Sequence, residues 1–162
     1  PVRVTLEAVE KERAAMAERW GVLRVNKVRA ELELTRWKRG GVRVKGQVKA
    51  DIEQNCVATM EPVEEKIDEL VEALFVPEGS KLARINTDEN GEMIISAEGP
   101  DMPETFTGNT IDVGLVCEEF IVLAIDPYPR KEGAVVELAG NTSPQDDVVP
   151  SPFAELERWK KK

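Results

Sequence analysis

The chain is 162 residues long, 41% hydrophobic and 33% charged, with a net charge of −9 and no histidine. That is apolar material for one sizeable core, so we expect a single domain with a loose tail. The longest apolar stretch, "GLVCEEFIVLAI", is broken by Glu118 and Glu119 and falls short of the roughly 20 residues a membrane span needs, and two cysteines without a histidine exclude a disulfide framework, a four-ligand structural zinc site and an imidazole-activated thiol.

In "TLEAVEKERAAMAERWG", Leu6, Val9, Arg13, Met16 and Trp20 recur at helical spacing, with Thr5 placed to cap the start and Gly21 to stop the helix. Val28, Ala30, Leu32 and Leu34 then alternate with charged residues as in a half-buried strand. "KRGG" at 38–41 reads as a hairpin turn. The returning arm places Val42, Val44, Gly46, Val48, Ala50, Ile52, Gln54 and Cys56 on one face, and Arg43, Lys45, Gln47, Lys49, Asp51, Glu53 and Asn55 on the other.

"PVEEKIDELVEALFVP" fits two templates. Val63, Ile67, Leu70, Val71 and Leu74 follow a helix, whereas Val63, Ile67, Val71, Ala73 and Phe75 share one strand face, and periodicity leaves both open. Residues 78–110 read as acidic loops around a short strand at "MIIS". Asp112 can cap a helix whose Val113, Val116, Phe120, Leu123 and Ala124 form an apolar stripe, with Cys117 in or beside it and Pro127 ending it. After residue 131 the periodicity stops. Residues 132–150 have the composition of a flexible linker, and "SPFAELERWKKK" at 151–162 is a short segment that either packs back or docks on a partner through Phe153, Leu156, Trp159, Lys160, Lys161 and Lys162.

Cys56 closes an inward-facing row, and Thr59 stands where a metal-binding or redox protein would place a second cysteine. The pattern favours a small buried side chain, because no partner base or ligand set is available. Glu118 and Glu119 could form a paired-carboxylate acid/base site only within a substrate pocket; otherwise they favour the early helix and keep it soluble. No phosphate-binding glycine loop or nucleophile elbow occurs.

The charge is unevenly distributed. Residues 24–49 hold nine Lys or Arg against Glu31 and Glu33, a local balance of +7 in an otherwise acidic chain. Such a strip either attracts a phosphate backbone or is a solvated strand face, and Trp20 and Trp37 are the only aromatic residues near it.

Three blocks in order resemble the YceD family of large ribosomal RNA subunit accumulation proteins: "VRVKGQVKADIEQNCVATMEPV", "IDVGLVCEEFIVLAIDPYPRKEGA" and "PSPFAELERWKKK". Within them Cys56, Thr59, Pro62, Asp112, Glu118, Pro127 and Pro129 match the family pattern. Thr59 in place of a second cysteine resembles the Cys-x-x-Thr branch and argues against a metal or redox role. The resemblance favours an extended 63–76 segment paired with the preceding strand.

We therefore expect an α+β fold: an antiparallel β-sheet with covering helices over residues 1–131 and a flexible C-terminal tail. The resemblance implies a non-enzymatic, cofactor-free cytoplasmic factor in accumulation or processing of large-subunit (23S) ribosomal RNA. Its expected partner is precursor RNA or a large-subunit ribosomal protein, the alternative being a purely protein-binding adaptor. Candidate RNA contacts are Arg36, Lys38, Arg39, Arg43, Lys45 and Lys49.

Overall fold

The computed structural model describes residues 1–83 and 102–135. The "MIIS" segment, the 151–162 docking segment and most of the 132–150 stretch lie outside the described residues.

The fold is α+β. Strands β1 (Val2–Glu7), β2 (Arg24–Trp37), β3 (Gly41–Asn55), β4 (Pro62–Pro77) and β5 (Glu104–Phe106) form one sheet in sequence order. The first four pair antiparallel, and β5 adds in parallel to the end of β4 through Phe75, Val76 and Pro77. Helices α1 (Glu10–Trp20) and α2 (Val113–Ala124) complete the fold.

Residues 62–77 are extended, pairing with β3 from Asn55↔Pro62 to Val42↔Phe75. The strand's inward positions explain the double pattern in the sequence. Ile67, Val71 and Phe75 are buried, while Glu69 and the small Ala73 fall between them on the same face, leaving large apolar side chains at a spacing of four that a helix would also satisfy. Pairing with the long β3 decides the outcome, because isolated helix propensity is weak against a full ladder.

The core lies between the sheet's inward face and the helices. Val44, Val48, Ala50 and Ile52 of β3 are almost fully buried beside Val28, Ala30 and Leu32 of β2 and Val116, Cys117 and Ile121 of α2. Each such aliphatic contributes about 1.5–3 kcal/mol on removal from water. Gly46 has no room for a side chain: a Cβ there would overlap the Glu31 carbonyl on β2.

Three expectations are corrected. Thr5 does not cap a helix; it sits in β1 opposite Glu31, because residues 2–7 alternate and find an edge of β2 to pair with. The helix begins after Val9, whose N–H donates to Glu12 Oε2 at 2.9 Å, and it ends at Gly21 in the left-handed region (φ 67). On α2 the buried face is centred on Cys117 and Ile121, and Leu123 is 79% exposed. That helix carries apolar residues nearly all round, including exposed Leu115 and Val122, so its stripe could be drawn on more than one side. No helix among the described residues is long and apolar enough to cross a membrane.

Candidate nucleic-acid interface

The outward face of the sheet carries Arg24, Lys27, Arg29, Arg43, Lys45 and Lys49 of the basic strip, and the register sets what stands next to each. One row crosses four strands as Arg3, Glu33, Lys45 and Glu72, alternating in sign. The row ending in Lys49 and Asp68 is flanked by Arg29 and Glu7. Lys45 Nζ lies 3.1 Å from Glu72, Arg43 Nη2 3.4 Å from the same carboxylate, and Lys49 Nζ 3.3 Å from Asp68. Three of the six candidate RNA contacts are thus already paired with carboxylates of β4. Over the whole face the register places as many carboxylates as cations, so it presents a screened charge lattice and not a basic plane.

The other three candidates cluster elsewhere. Arg36, Lys38 and Arg39 stand exposed at the β2–β3 hairpin tip, and none has a carboxylate partner among the described residues. The tip is a single 3₁₀ turn (Lys38–Gly40) in which Arg39 (φ 54) and Gly40 (φ 79) both take the left-handed region. A non-glycine residue at positive φ costs about 1 kcal/mol or more and persists where the surroundings hold it. Here Gly41 lets Trp37 pack close: a Cβ at Gly41 would meet Trp37 Cε3 at 3.1 Å and the Phe75 carbonyl at 2.8 Å. The result is a tight turn with exposed Lys38 and Arg39, preceded on β2 by Arg36 on the inward row and half-buried Trp37 on the outward one. Trp37 was legible as the nearby aromatic, but only the register places it here.

Five of the family-pattern residues, Cys56, Thr59, Pro62, Pro127 and Pro129, converge at the opposite end of the hairpin. Cys56 ends β3 and turns back, its carbonyl accepting from Met60 N–H at 2.9 Å and its own N–H donating to the Glu61 carbonyl at 2.8 Å. The 126–131 segment lies against this turn. Val57 N–H donates to the Pro129 carbonyl at 2.9 Å, Lys131 N–H donates to Cys56 Sγ at 3.3 Å, and Lys131 Nζ lies 2.9 Å from Glu61. Gln54 Nε2 donates to the Asp126 carbonyl and Asp126 N–H donates to Glu65, both at 3.0 Å. Cys56 is fully covered by this turn and exit segment, yet it lies outside the contiguous core cluster. The Lys131 N–H, the Thr59 hydroxyl and the Ala58 and Thr59 amides draw its thiol down from the ordinary 9.0 to about 7. Cys56, Thr59 and Lys131 thus form a hydrogen-bonded clasp, in which the Thr59 hydroxyl also accepts from Glu61 N–H at 3.4 Å. Pro62 opens β4 beside it, and Pro127 and Pro129 lie in the irregular exit segment.

Asp112 caps α2 by accepting from Leu115 N–H at 3.0 Å. Glu118 ties the helices together: Arg19 donates to it from Nε and Nη2 at 3.0 and 2.9 Å, and Trp20 Nε1 donates at 2.8 Å. Glu119 is exposed, so the two carboxylates do not share a site. Between α1, α2 and the sheet lies an apolar cleft of about 200 Å³ lined by Leu6, Met16, Val28, Ala30, Cys117 and Ile121. Burial pushes the Cys117 thiol up to about 11, which leaves it protonated and unreactive at neutral pH. Phe153, Leu156, Trp159 and Lys160 to Lys162 lie outside the described residues.

The carboxylates of β4 that neutralise the basic strand were not singled out from sequence. Their signal was the acid-rich "PVEEKIDELVE", which becomes legible only once that segment is antiparallel to β3. No curated protein matches the chain, and no solved structure does. The family model described as "Large ribosomal RNA subunit accumulation protein YceD" matches residues 44–160, a span that takes in the cysteine turn, β4, α2 and its proline exit, and the chain therefore belongs to the YceD family.

Proposed function

We propose that this protein is a non-enzymatic ribosome-biogenesis factor that supports accumulation or processing of large-subunit ribosomal RNA in the cytoplasm, and that it contacts precursor RNA through the tip of the β2–β3 hairpin. Family membership ties the chain to large-subunit ribosomal RNA. The observation that carries the RNA contact is the division of the basic strip: Arg43, Lys45 and Lys49 are paired along β3, whereas Arg36 at the end of β2 and Lys38 and Arg39 in the hairpin turn have no carboxylate partners among the described residues. Phosphates are drawn to cations that need not first be stripped from a carboxylate. Trp37, next in sequence to Lys38 and on the outward row, offers an aromatic edge against which an unpaired base could pack. No catalytic role is assigned, since Glu118 is held by Arg19 and Trp20 and Cys117 is buried.

A second reading, a protein-only adaptor, draws on the charge-balanced sheet face, which suits a protein surface better than a nucleic acid. The two separate in one experiment. The tagged protein is crosslinked and captured from its native cytoplasm, with and without ribonuclease. RNA contact at the tip predicts large-subunit precursor RNA crosslinked to peptides containing residues 36–39. Crosslinks confined to other segments, or partners wholly resistant to ribonuclease, would remove the RNA reading and leave the adaptor.

A further inference from the structure

The strand β4 is paired on one side with β3 from Pro62 to Phe75, but on the other side only with β5 at Phe75, Val76 and Pro77. From Val63 to Leu74 its second edge has no backbone partner among the described residues. Along that edge every second residue turns a backbone N–H and C=O outward, an arrangement that accepts a further strand. At about 3.3 Å per residue it is long enough to seat an extended peptide of about ten residues.

The side chains on this edge define what can lie there. Glu64, Asp68 and Glu72 share its outward face with Lys66, and Glu65 and Glu69 share its inward face. Glu64 and Glu69 are exposed and have no ion-pair partner among the described residues. Leu70 stands 76% exposed between Asp68 and Glu72 on the outward face, an apolar foothold flanked by acids. A second copy of the chain is the wrong occupant, because pairing β4 with β4 would set carboxylates against carboxylates. A nucleic acid is excluded by the same charge.

We propose that the 63–74 edge of β4 is a docking site for an extended lysine- or arginine-rich segment of another protein, which adds to the sheet as a strand. Main-chain hydrogen bonds hold the segment, and its cations face Glu64 on one side of the sheet and Glu69 on the other, the two carboxylates of this edge without an ion-pair partner among the described residues, whereas Asp68 and Glu72 are already paired with β3. The site lies on a different strand from the hairpin tip and does not depend on the RNA contact proposed there. A protein with both would hold RNA at one place and a basic, RNA-neutralising partner at another.

The test uses the full chain and two synthetic peptides of about twelve residues, one repeating Lys-Lys-Thr-Thr and the other Glu-Glu-Thr-Thr, so that both faces of the added strand carry charge. Amide hydrogen exchange is followed in the free and peptide-bound protein. The lysine peptide is expected to slow exchange at residues 63–74 and leave β1 unchanged, while the glutamate peptide has no effect. Glu64→Lys with Glu69→Lys should weaken the lysine peptide by about tenfold or more and favour the glutamate peptide. Glu64→Gln with Glu69→Gln should give a smaller loss in the same direction. Arg36→Glu with Lys38→Glu and Arg39→Glu should leave lysine-peptide binding intact, which separates this site from the RNA reading. The proposal is overturned if the lysine peptide protects nothing between 63 and 74, or if the charge variants do not alter its affinity. It is equally overturned if these amides in the free protein are already as protected as those of β3, since the chain would then cover its own edge.

Discussion

Lys45 and Glu72 stand directly opposite each other on β3 and β4, with Nζ 3.1 Å from the carboxylate. The pair is solvent-exposed on both sides, so it is worth a fraction of a kcal/mol and is screened by salt. Its importance lies in what it denies to a ligand. A Lys45→Glu substitution should therefore change RNA affinity less than about threefold and lower stability by no more than about 1 kcal/mol. Filter binding at near-physiological salt and a denaturant titration check both numbers. A loss of RNA binding as large as that from the hairpin tip would show that the sheet face is in fact the contact.

Glu118 accepts from both Arg19 and Trp20, which makes one carboxylate the junction of α1 and α2. Glu118→Ala leaves the half-buried indole N–H without its partner, at a cost of about 1–3 kcal/mol. Glu118→Gln keeps an acceptor for Trp20 and should lose less. Thermal or urea unfolding of the two variants gives the order, and equal losses would mean that the Arg19 charge, not the indole bond, dominates.

The clasp at Cys56 makes a pH-dependent prediction. The folded thiol titrates near 7 and an ordinary thiol near 9.0, so between these values the unfolded chain binds more protons than the folded one. Stability from this group is therefore fully present above about pH 9 and is lost as pH falls through 7. Urea midpoints measured across that range should rise with pH in the native chain and rise less in Cys56→Ser. Thr59→Val removes one donor and should move the dependence to higher pH. Identical profiles for the native chain and Cys56→Ser would show that the thiol is not stabilised as an anion.

Gly46 packs directly against the β2 backbone, and an added methyl would overlap the Glu31 carbonyl. Gly46→Ala must push backbone aside and should cost about 1–3 kcal/mol. The same change at Gly21, where nothing lies within 4 Å but φ is +67, costs less because only local backbone strain opposes it. Calorimetric melts of both variants rank them.

The hairpin was readable from sequence because its two arms alternate strictly and meet at "KRGG", and α2 because Asp112 and Pro127 mark its limits. The β1 strand was not: "VRVTLE" is short and runs into a helical repeat, so Leu6 and Val9 fit the helix spacing as well, and only the pairing with β2 separates the two. Nor was the three-residue β5, which is held by pairing with Phe75 to Pro77 and by no pattern of its own. For the candidate site, composition found the basic strip but treated its cations alike. Which of them are free depends on a cross-strand register to β4, and that is a long-range property a local reading does not contain.

The most direct measurement is the salt dependence of binding between the full chain and a large-subunit precursor RNA fragment, compared with a variant carrying Arg36→Glu, Lys38→Glu and Arg39→Glu. Three phosphate contacts give a slope in log affinity against log salt of about −2 on single-stranded RNA, and the account predicts that the variant loses most of that slope together with the affinity. An unchanged slope and affinity in a variant that still folds would contradict it.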